Sequence, residues 1–281
     1  MPQLWDFQED AVEALFEFLA ASKGKNYNPL IQAPTGSGKS LIQADSMQKM
    51  VQSYPDIGIL ALCHSTEVIK QNYNQYYNYT QNNNMGIYCA SLGRKDDSQI
   101  LFSSIASVAR VKNYAKKTNV IVIDEAHLCP NTDKGQYRKF ISHMTTQNPK
   151  LRIVGLTATP WRMDGGCLIS GENRLFTHIA YRITLRELID AGRLVPIVTP
   201  RKLQRLDLSG LKISQTTKDF TERSQEEAVL KKIDSVIAES LERLEGKKHI
   251  LVFCPSIVTC ERVRDILISK GFSAELFIGD T

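Results

Sequence analysis

The segment Pro29-Leu30-Ile31-Gln32-Ala33-Pro34-Thr35-Gly36-Ser37-Gly38-Lys39-Ser40 decides the fold. Pro29 to Ala33 reads as a short apolar strand, and the residues that follow the turn read as a helix. A glycine-rich turn between strand and helix is the context that a phosphate-binding loop requires. Gly36 and Gly38 let backbone N–H groups turn inward toward phosphate oxygens, and the helix N terminus adds its positive end. Lys39 has the reach for β- and γ-phosphates, and the Ser40 hydroxyl suits a magnesium ligand. Pro34, Thr35 and Ser37 complete the loop. The strict pattern opens with Gly, where this chain has Ala33.

Further along, Val120-Ile121-Val122-Ile123 is apolar at every position, as expected of a strand covered on both sides. It runs into Asp124-Glu125-Ala126-His127. An acidic residue at the C-terminal end of a parallel strand lies on the sheet edge where doubly wound folds bind ligands. Asp124 is suited to hold magnesium through water, and Glu125 to orient and deprotonate an attacking water. An isolated Asp-Glu pair would read as solvated loop acids; Lys39 and Ser40 upstream change that reading. His127 alone reads as a hydrogen-bonded structural histidine. Thr157-Ala158-Thr159-Pro160 follows the apolar run Arg152 to Leu156, and its hydroxyls either bridge two sites or serve an ordinary turn.

Ile57 to Cys63, Ile100 to Phe102 and His249 to Phe253 are further strand candidates, separated by helical patterns. This alternation predicts an α/β fold with a central parallel sheet and helices on both faces. Phe7 to Ala21 places Ala11, Leu15, Phe18 and Leu19 on one helical face. A helix is expected to start at Ser224, with Glu227 in capping-box position and Val229, Ile233, Val236, Ile237, Leu241 and Leu244 as its stripe. Between Val195 and Ser224 the pattern breaks around Pro196 and Pro200, which predicts a linker. One β-α-β unit follows: Ile250 to Phe253, Ile257 to Lys270, Ala274 to Ile278. The expected domains are therefore 1–195 and 224–281, joined by 196–223. Gln71 to Asn84, rich in Asn, Gln and Tyr, reads as a helix end running into a solvated loop, with base stacking on its rings as the sharper alternative.

Composition sets the outer bounds. With 281 residues, 42% hydrophobic and 23% charged, the chain is ordinary globular material of one or two domains. A net charge of +5 permits a polyanionic partner without arguing for one. The six cysteines, Cys63, Cys89, Cys129, Cys167, Cys254 and Cys260, form no Cys-x-x-Cys pair, so reduced thiols fit better than a disulfide framework. No apolar stretch approaches the roughly 18 residues that span a bilayer, and Met1 to Asp6 lacks the order of a secretion signal. The expectation is a cytoplasmic or nucleoid-associated protein with no membrane partner.

Gln8, Ala33 to Ser40, Asp124 to His127 and Thr157 to Thr159, in this order and spacing, resemble a superfamily 2 helicase of the DEAH-box type. Leu156 to Arg162 and Tyr181 to Pro196 look most like the branch containing the bacterial repair protein RadD. The resemblance implies a RecA-like P-loop NTPase domain followed by the opening of a second one. It implies ATP and Mg2+ as cofactors, with Lys39, Asp124 and Glu125 catalytic and Ser40 and Asp124 at the metal. Gln8 matches the adenine-reading glutamine, whose carboxamide can pair with adenine N6 and N7. Trp5 stands where the family often has Arg, and its ring could cover a base face. His127, Thr157 and Thr159 match residues that couple nucleotide state to the nucleic-acid groove. His64, Ser65 and Thr66, then Ser104 and Ser107, match segments that grip nucleic-acid backbone, with helix capping as the plain alternative. DNA is the expected partner rather than RNA.

Arg182, Arg186, Arg193, Arg201, Lys202 and Arg205 oppose only Glu187 and Asp190, which reads as a solvated amphipathic face or, more sharply, as a phosphate-tracking strip. Motifs V and VI have no counterpart before Thr281, so a weak ATPase is expected of this chain alone, with further polypeptide completing the second domain. The competing expectations are a nucleotide-dependent binding module without catalysis, the motor part of a restriction system, and a P-loop kinase of small molecules. Asp-Glu-Ala-His and Thr-Ala-Thr disfavour the last.

Overall fold

A computed structural model describes residues 3–111, 117–129, 135–162, 166–196, 209–214, 220–244 and 246–278. The chain divides into two compact units, Met1–Pro196 and Ile197–Thr281. The first carries strands β1 (Pro29–Gln32), β2 (Ile59–Cys63), β3 (Met85–Cys89), β4 (Arg94–Lys95), β5 (Ile100–Ser104), β6 (Val120–Ile123), β7 (Arg152–Thr157), β8 (Trp161–Arg162), β9 (Gly166–Cys167) and β10 (His178–Arg182). Its helices are α1 (Asp6–Ala21), α2 (Lys39–Ser53), α3 (Thr66–Thr80), α4 (Ile105–Val108), α5 (Gln136–Gln147) and α6 (Leu185–Asp190).

The main sheet runs in the order β10-β1-β7-β6-β2-β5-β3-β4. All neighbours are parallel except the terminal β3–β4 pair. Because the strand side-chain period is two, Val120 and Val122 of β6 enter one core and Ile121 and Ile123 the other. The first core is closed by Ala11, Val12 and Leu15 of α1, Ile42 and Met47 of α2 and Ile69 of α3. The second is closed by Val108 of α4 and Phe140, Ile141 and Met144 of α5. The expected α/β architecture is thus present, with helices on both faces of a mostly parallel sheet. Parallel strands bring the ends of β1, β6, β7, β2 and β5 to one edge, where the loops bearing Gly36, Asp124, Thr157, His64 and Ser104 emerge.

Five strands escape the sequence reading: the two-residue β4, β8 and β9, and the longer β3 and β10. β3 follows the Asn-rich stretch, and β10 adds a parallel edge strand beside β1. The tyrosines of α3 are mostly core: Tyr76 is buried, and Tyr73 and Tyr76 pack near Phe102 with ring centroids 5.9 and 6.0 Å away. Of the four tyrosines of α3, Tyr73, Tyr76, Tyr77 and Tyr79, only Tyr77 is exposed. Thr80 ends the helix and Gln81 takes a left-handed conformation.

Gly155 sits mid-β7 where a Cβ would lie 2.4 Å from the Phe176 ring and 2.8 Å from Leu30 Cδ1. Both neighbours are fully buried and cannot yield cheaply. Gly155→Ala is expected to destabilise the first unit by about 1–3 kcal/mol through overpacking, read from urea unfolding midpoints. An unchanged midpoint would contradict that packing.

The second unit contains α7 (Glu222–Leu230), α8 (Ile233–Arg243) and α9 (Ile257–Ser269). Ile233, Ile237, Val263 and Ile266 form its small core. The single helix expected from Ser224 is corrected in two respects. It begins at Glu222 after Thr221, and Ser224 spends its hydroxyl on Thr221 O at 2.9 Å instead of capping. It also divides at Lys231–Lys232, where Lys232 N bonds Val229 O at 3.0 Å in a tighter i→i−3 turn. Glu227 pairs with Arg223 at 3.2 Å and caps nothing. The strands expected at His249–Phe253 and Ala274–Ile278 are also corrected: neither joins a ladder among the described residues. A strand needs hydrogen-bonded neighbours, and here Leu251, Phe253 and Phe277 remain more than 80% exposed. Residues 197–208 and 215–219 of the expected linker, with Arg201, Lys202 and Arg205, lie outside the described residues. Among the described residues no helix is long and apolar enough to cross a membrane.

Candidate active site

The loop after β1 is shaped by two left-handed glycines, Gly36 at φ +85° and Gly38 at φ +75°, a region that other residues enter at a cost. Gly38 caps α2, so the unpaired N–H groups of the helix's first turn face the loop. Side chains are excluded here as well, since a Cβ at Gly38 would meet Gln8 Nε2 at 2.5 Å. Ser37 is buried and donates its hydroxyl to Pro34 O at 2.6 Å, which closes the turn and spends that group on the loop itself. Thr35 and Gly36 are exposed at the rim, and Lys39 and Ser40 are half-buried at the helix start.

Lys39 Nζ lies 3.7 Å from Glu125 Oε1. The two groups that the sequence places 86 positions apart (125 − 39) thus share one pocket across β7. Glu125 occupies the left-handed region at φ +49°, unusual for a side-chain-bearing residue and the kind of backbone strain that collects at functional sites. Its other oxygen is 3.3 Å from His127 Nδ1. The same nitrogen is 2.9 Å from Thr157 Oγ1, and Thr157 Oγ1 in turn contacts Thr159 O at 3.1 Å and accepts from Thr159 N at 3.2 Å. A continuous polar chain therefore runs from Lys39 through Glu125 and His127 to the loop after β7. His127 and Thr157, which the family resemblance grouped together and which a reading of His127 alone would not have linked, lie side by side in that chain.

Asp124 is held from two sides. Its Oδ1 accepts from the Glu125 backbone N–H at 2.9 Å, and its Oδ2 accepts from Asn72 Nδ2 at 2.9 Å. Asn72, buried on α3, also approaches Gln43 Oε1 at 3.3 Å and Cys63 Sγ at 3.4 Å. Burial, reinforced by the Asp124 charge and partly offset by Asn72, pushes the Cys63 thiol up to about 12, so it remains protonated packing material. The sequence reading missed Asn72. An asparagine amid tyrosines gave no motif, and only the helical spacing that buries Ile69, Asn72 and Tyr76 together could have marked it.

Gln8 is almost fully buried at the start of α1. Its Oε1 accepts from Trp5 N at 3.0 Å and its Nε2 donates to Ser37 O at 2.8 Å, so the carboxamide ties α1 to the glycine loop. Pairing with a base would draw on these same atoms.

The candidate nucleic-acid residues sit farther along the same edge, at the C-terminal ends of β2 and β5 and the starts of α3 and α4, and are not drawn into this cluster. His64 is exposed. Ser65 caps α3 by accepting from Val68 N at 3.3 Å, and Thr66 donates to Glu67 at 2.6 Å. Ser104 caps α4 by accepting from Ser107 N at 3.3 Å, while Ser107 Oγ accepts from Ala90 N at 3.0 Å. Ser65 and Ser104 thus do capping work, and Thr66 and Ser107 bond to neighbouring groups of the chain. In the basic segment, Arg186 pairs with Asp190 at 2.9 Å on the exposed face of α6, the solvated arrangement.

No group of three or more His, Cys, Asp or Glu among the described residues is arranged to hold a metal. Magnesium does not need one, because it takes one or two protein oxygens and completes its shell with phosphate and water. The Ser40 hydroxyl and the anchored Asp124 carboxylate fit that donor set beside a phosphate nest.

The family model described as "Type III restriction enzyme, res subunit" matches residues 2–162, more than half of the chain. The chain belongs to that family. It is a superfamily 2 helicase-type protein, as the motif set implied. "Putative helicase 22" of Sulfolobus islandicus filamentous virus is 27% identical over 185 residues, covering 60% of this chain and 31% of its own. "Putative mitochondrial ATP-dependent helicase irc3" of Schizosaccharomyces pombe is 23% identical over 288 residues, covering 99% of this chain and 45% of its own. The chain thus spans less than half the length of these relatives. A nuclease-deletion mutant of the Type ISP restriction-modification enzyme LlaGI, solved with a DNA substrate mimic, superposes with TM-score 0.52 at 16% identity, over 68% of this chain and 21% of that one. At that identity the likeness speaks for the fold.

Removing the Asn72 amide is expected to loosen Asp124 without touching any ligand directly. Asn72→Leu should weaken the magnesium-dependent part of nucleotide affinity by about 10- to 100-fold, the usual cost of losing a group that orients a metal ligand. Nucleotide affinity in EDTA should stay unchanged. Equal losses with and without magnesium would show a general packing defect instead.

Proposed function

We propose that the chain is the ATP-binding part of a DEAH-type, ATP-hydrolysing nucleic-acid motor, acting on DNA in the cytoplasm or at the nucleoid. The observation that carries this reading is the 3.7 Å approach of Lys39 to Glu125 at the mouth of a glycine nest. Lys39 and the α2 amides hold the phosphate tail. Ser40 and Asp124 would hold magnesium, which when bound would neutralise developing phosphate charge. Glu125 accepts a proton from the attacking water, and the water oxygen bonds to the γ-phosphorus as the bond to the ADP oxygen breaks. His127, Thr157 and Thr159 relay the state of Glu125 toward the loop after β7. Exposed His64 and partly buried Ser65, Thr66 and Ser104 offer backbone amides and hydroxyls to a strand's phosphates, and buried Ser107 holds the Ser104 hydroxyl at 3.0 Å. The RadD-like branch remains the reading of Leu156–Arg162 and Tyr181–Pro196.

By itself the chain should hydrolyse ATP slowly. The resemblance supplies no motif VI arginines within these residues, and an arginine closing on the γ-phosphate is worth about 10³- to 10⁵-fold in rate. The bare faces of Leu251, Phe253 and Phe277 call for further strands from additional polypeptide to complete the second unit. Steady-state phosphate release with and without single-stranded DNA tests this. Slow release, faster with DNA, supports a motor; tight nucleotide-dependent DNA binding with no release at all supports a binding module. The family match gives specific weight to a second reading, the motor part of a restriction system, in which translocation is coupled to an attached or partner nuclease.

A further inference from the structure

Trp5 stands beside Gln8, which the nucleotide reading places at the base end of the nest. Its backbone N–H bonds Gln8, and Gln8 bonds the glycine loop at Ser37 O. The ring already has an occupant: the Arg193 guanidinium lies 4.8 Å from its centroid. Arg193 is placed there by the end of α6. Gly192 turns left-handed at φ +67°, and the N–H groups of Arg193 and Leu194 both reach Leu188 O, at 2.8 and 3.1 Å. The next side chain touches the phosphate end of the same nest, since a Cβ at Gly36 would lie 2.9 Å from Leu194 Cδ2. Two adjacent residues just before Pro196 thus cover both ends of the pocket, one by cation–π contact and one by apolar contact.

Stacked groups separate by about 3.5–4.0 Å per layer, so a base between Trp5 and Arg193 would need about 7–8 Å. The observed 4.8 Å leaves no layer free. Trp5's other ring neighbour, Phe7, is 5.7 Å away, tilted by 46° and packed against the first core, so the movable occupant is the arginine. We infer that a purine base and Arg193 compete for the Trp5 ring, making Arg193 a base-sensitive latch that holds residues 193–196 against the pocket. This rests on the nucleotide reading above and deepens it. The phosphate tail alone leaves the latch shut; a base opens it, and Leu194 is freed from Gly36 with it. The segment released leads directly into the second compact unit, which begins at Ile197.

Trp5 and Trp161 are the only tryptophans, so a Trp161→Phe background of the full chain leaves Trp5 as the sole reporter. ADP and inorganic tripolyphosphate, which has the phosphates without the base, are titrated against this protein with and without Arg193→Ala. ADP is expected to change Trp5 emission and tripolyphosphate to leave it unchanged. Arg193→Ala should tighten ADP by roughly two- to fivefold, the size of an exposed cation–π contact, and leave tripolyphosphate affinity unaltered. Weaker ADP binding in Arg193→Ala, equal shifts for both ligands, or bound ADP that leaves Trp5 emission unchanged would each overturn the latch while sparing the phosphate nest. Failure of both ligands to bind the parent protein would refute the nest itself, and the latch with it.

Discussion

Lys39→Ala is expected to lower the affinity for ATP with magnesium by about 10- to 150-fold, the range for losing a charge-assisted hydrogen bond worth roughly 1.5–3 kcal/mol. The ammonium is half-buried beside the loop amides, where the phosphate tail would meet it. Removing it takes away the lysine cation that lies beside Glu125 Oε1, leaving that carboxylate oxygen to face the polyphosphate. Hydrolysis should fall further, by about 10²- to 10³-fold, because the lysine also stabilises charge that develops on the transferring phosphoryl group. Fluorescent-nucleotide titration reads the first effect and single-turnover hydrolysis the second. An Ala variant that binds and hydrolyses like the parent would remove Lys39 from the pocket chemistry.

Glu125→Gln separates binding from chemistry. Glutamine preserves the shape of the side chain and keeps an oxygen for Lys39, but it does not take a proton from water at neutral pH. The left-handed backbone at Glu125 leaves its carboxylate between Lys39 and His127, and the proposed mechanism assigns it the proton of the attacking water. Nucleotide affinity should therefore be retained, and single-turnover hydrolysis should drop by about 10²- to 10⁴-fold, the contribution of a positioned general base. Radiometric detection with protein in excess accommodates the slow parent rate. Lost binding with unchanged residual hydrolysis would assign Glu125 to the ground state and leave the base unidentified.

The parts of this pocket that follow from short-range rules were legible in the sequence. Val120 to Ile123 could only be a two-sided strand, and Gly36 and Gly38 could only be a turn that other residues would strain. Their meeting was legible as well, because parallel strands deliver their C-terminal loops to one edge. Contacts made by chain distant in sequence were not. Asn72 reaches Asp124 from α3, and nothing in Asn72-Tyr73-Asn74-Gln75-Tyr76 distinguishes the buried asparagine from the exposed Asn74. Arg193 read as one of several basic residues until Gly192 was seen to turn it onto Trp5. β10 escaped because its residues are only partly buried, so its sequence lacks the continuous apolar run of β6. Ile250 to Phe253 and Ala274 to Ile278 have strand composition without strand structure, since local preference supplies side chains for a sheet but not the neighbouring strands that hold it.

The central claim is that Lys39, Ser40 and Asp124 converge on one magnesium-bound triphosphate. Calorimetric titration of a non-hydrolysable ATP analogue, with and without magnesium, tests it in the parent chain and in Asp124→Asn. The expected result is that magnesium tightens binding by about tenfold or more in the parent and that this gain vanishes in Asp124→Asn, while affinity in EDTA is the same for both. Binding indifferent to magnesium, or a gain that survives Asp124→Asn intact, would contradict it.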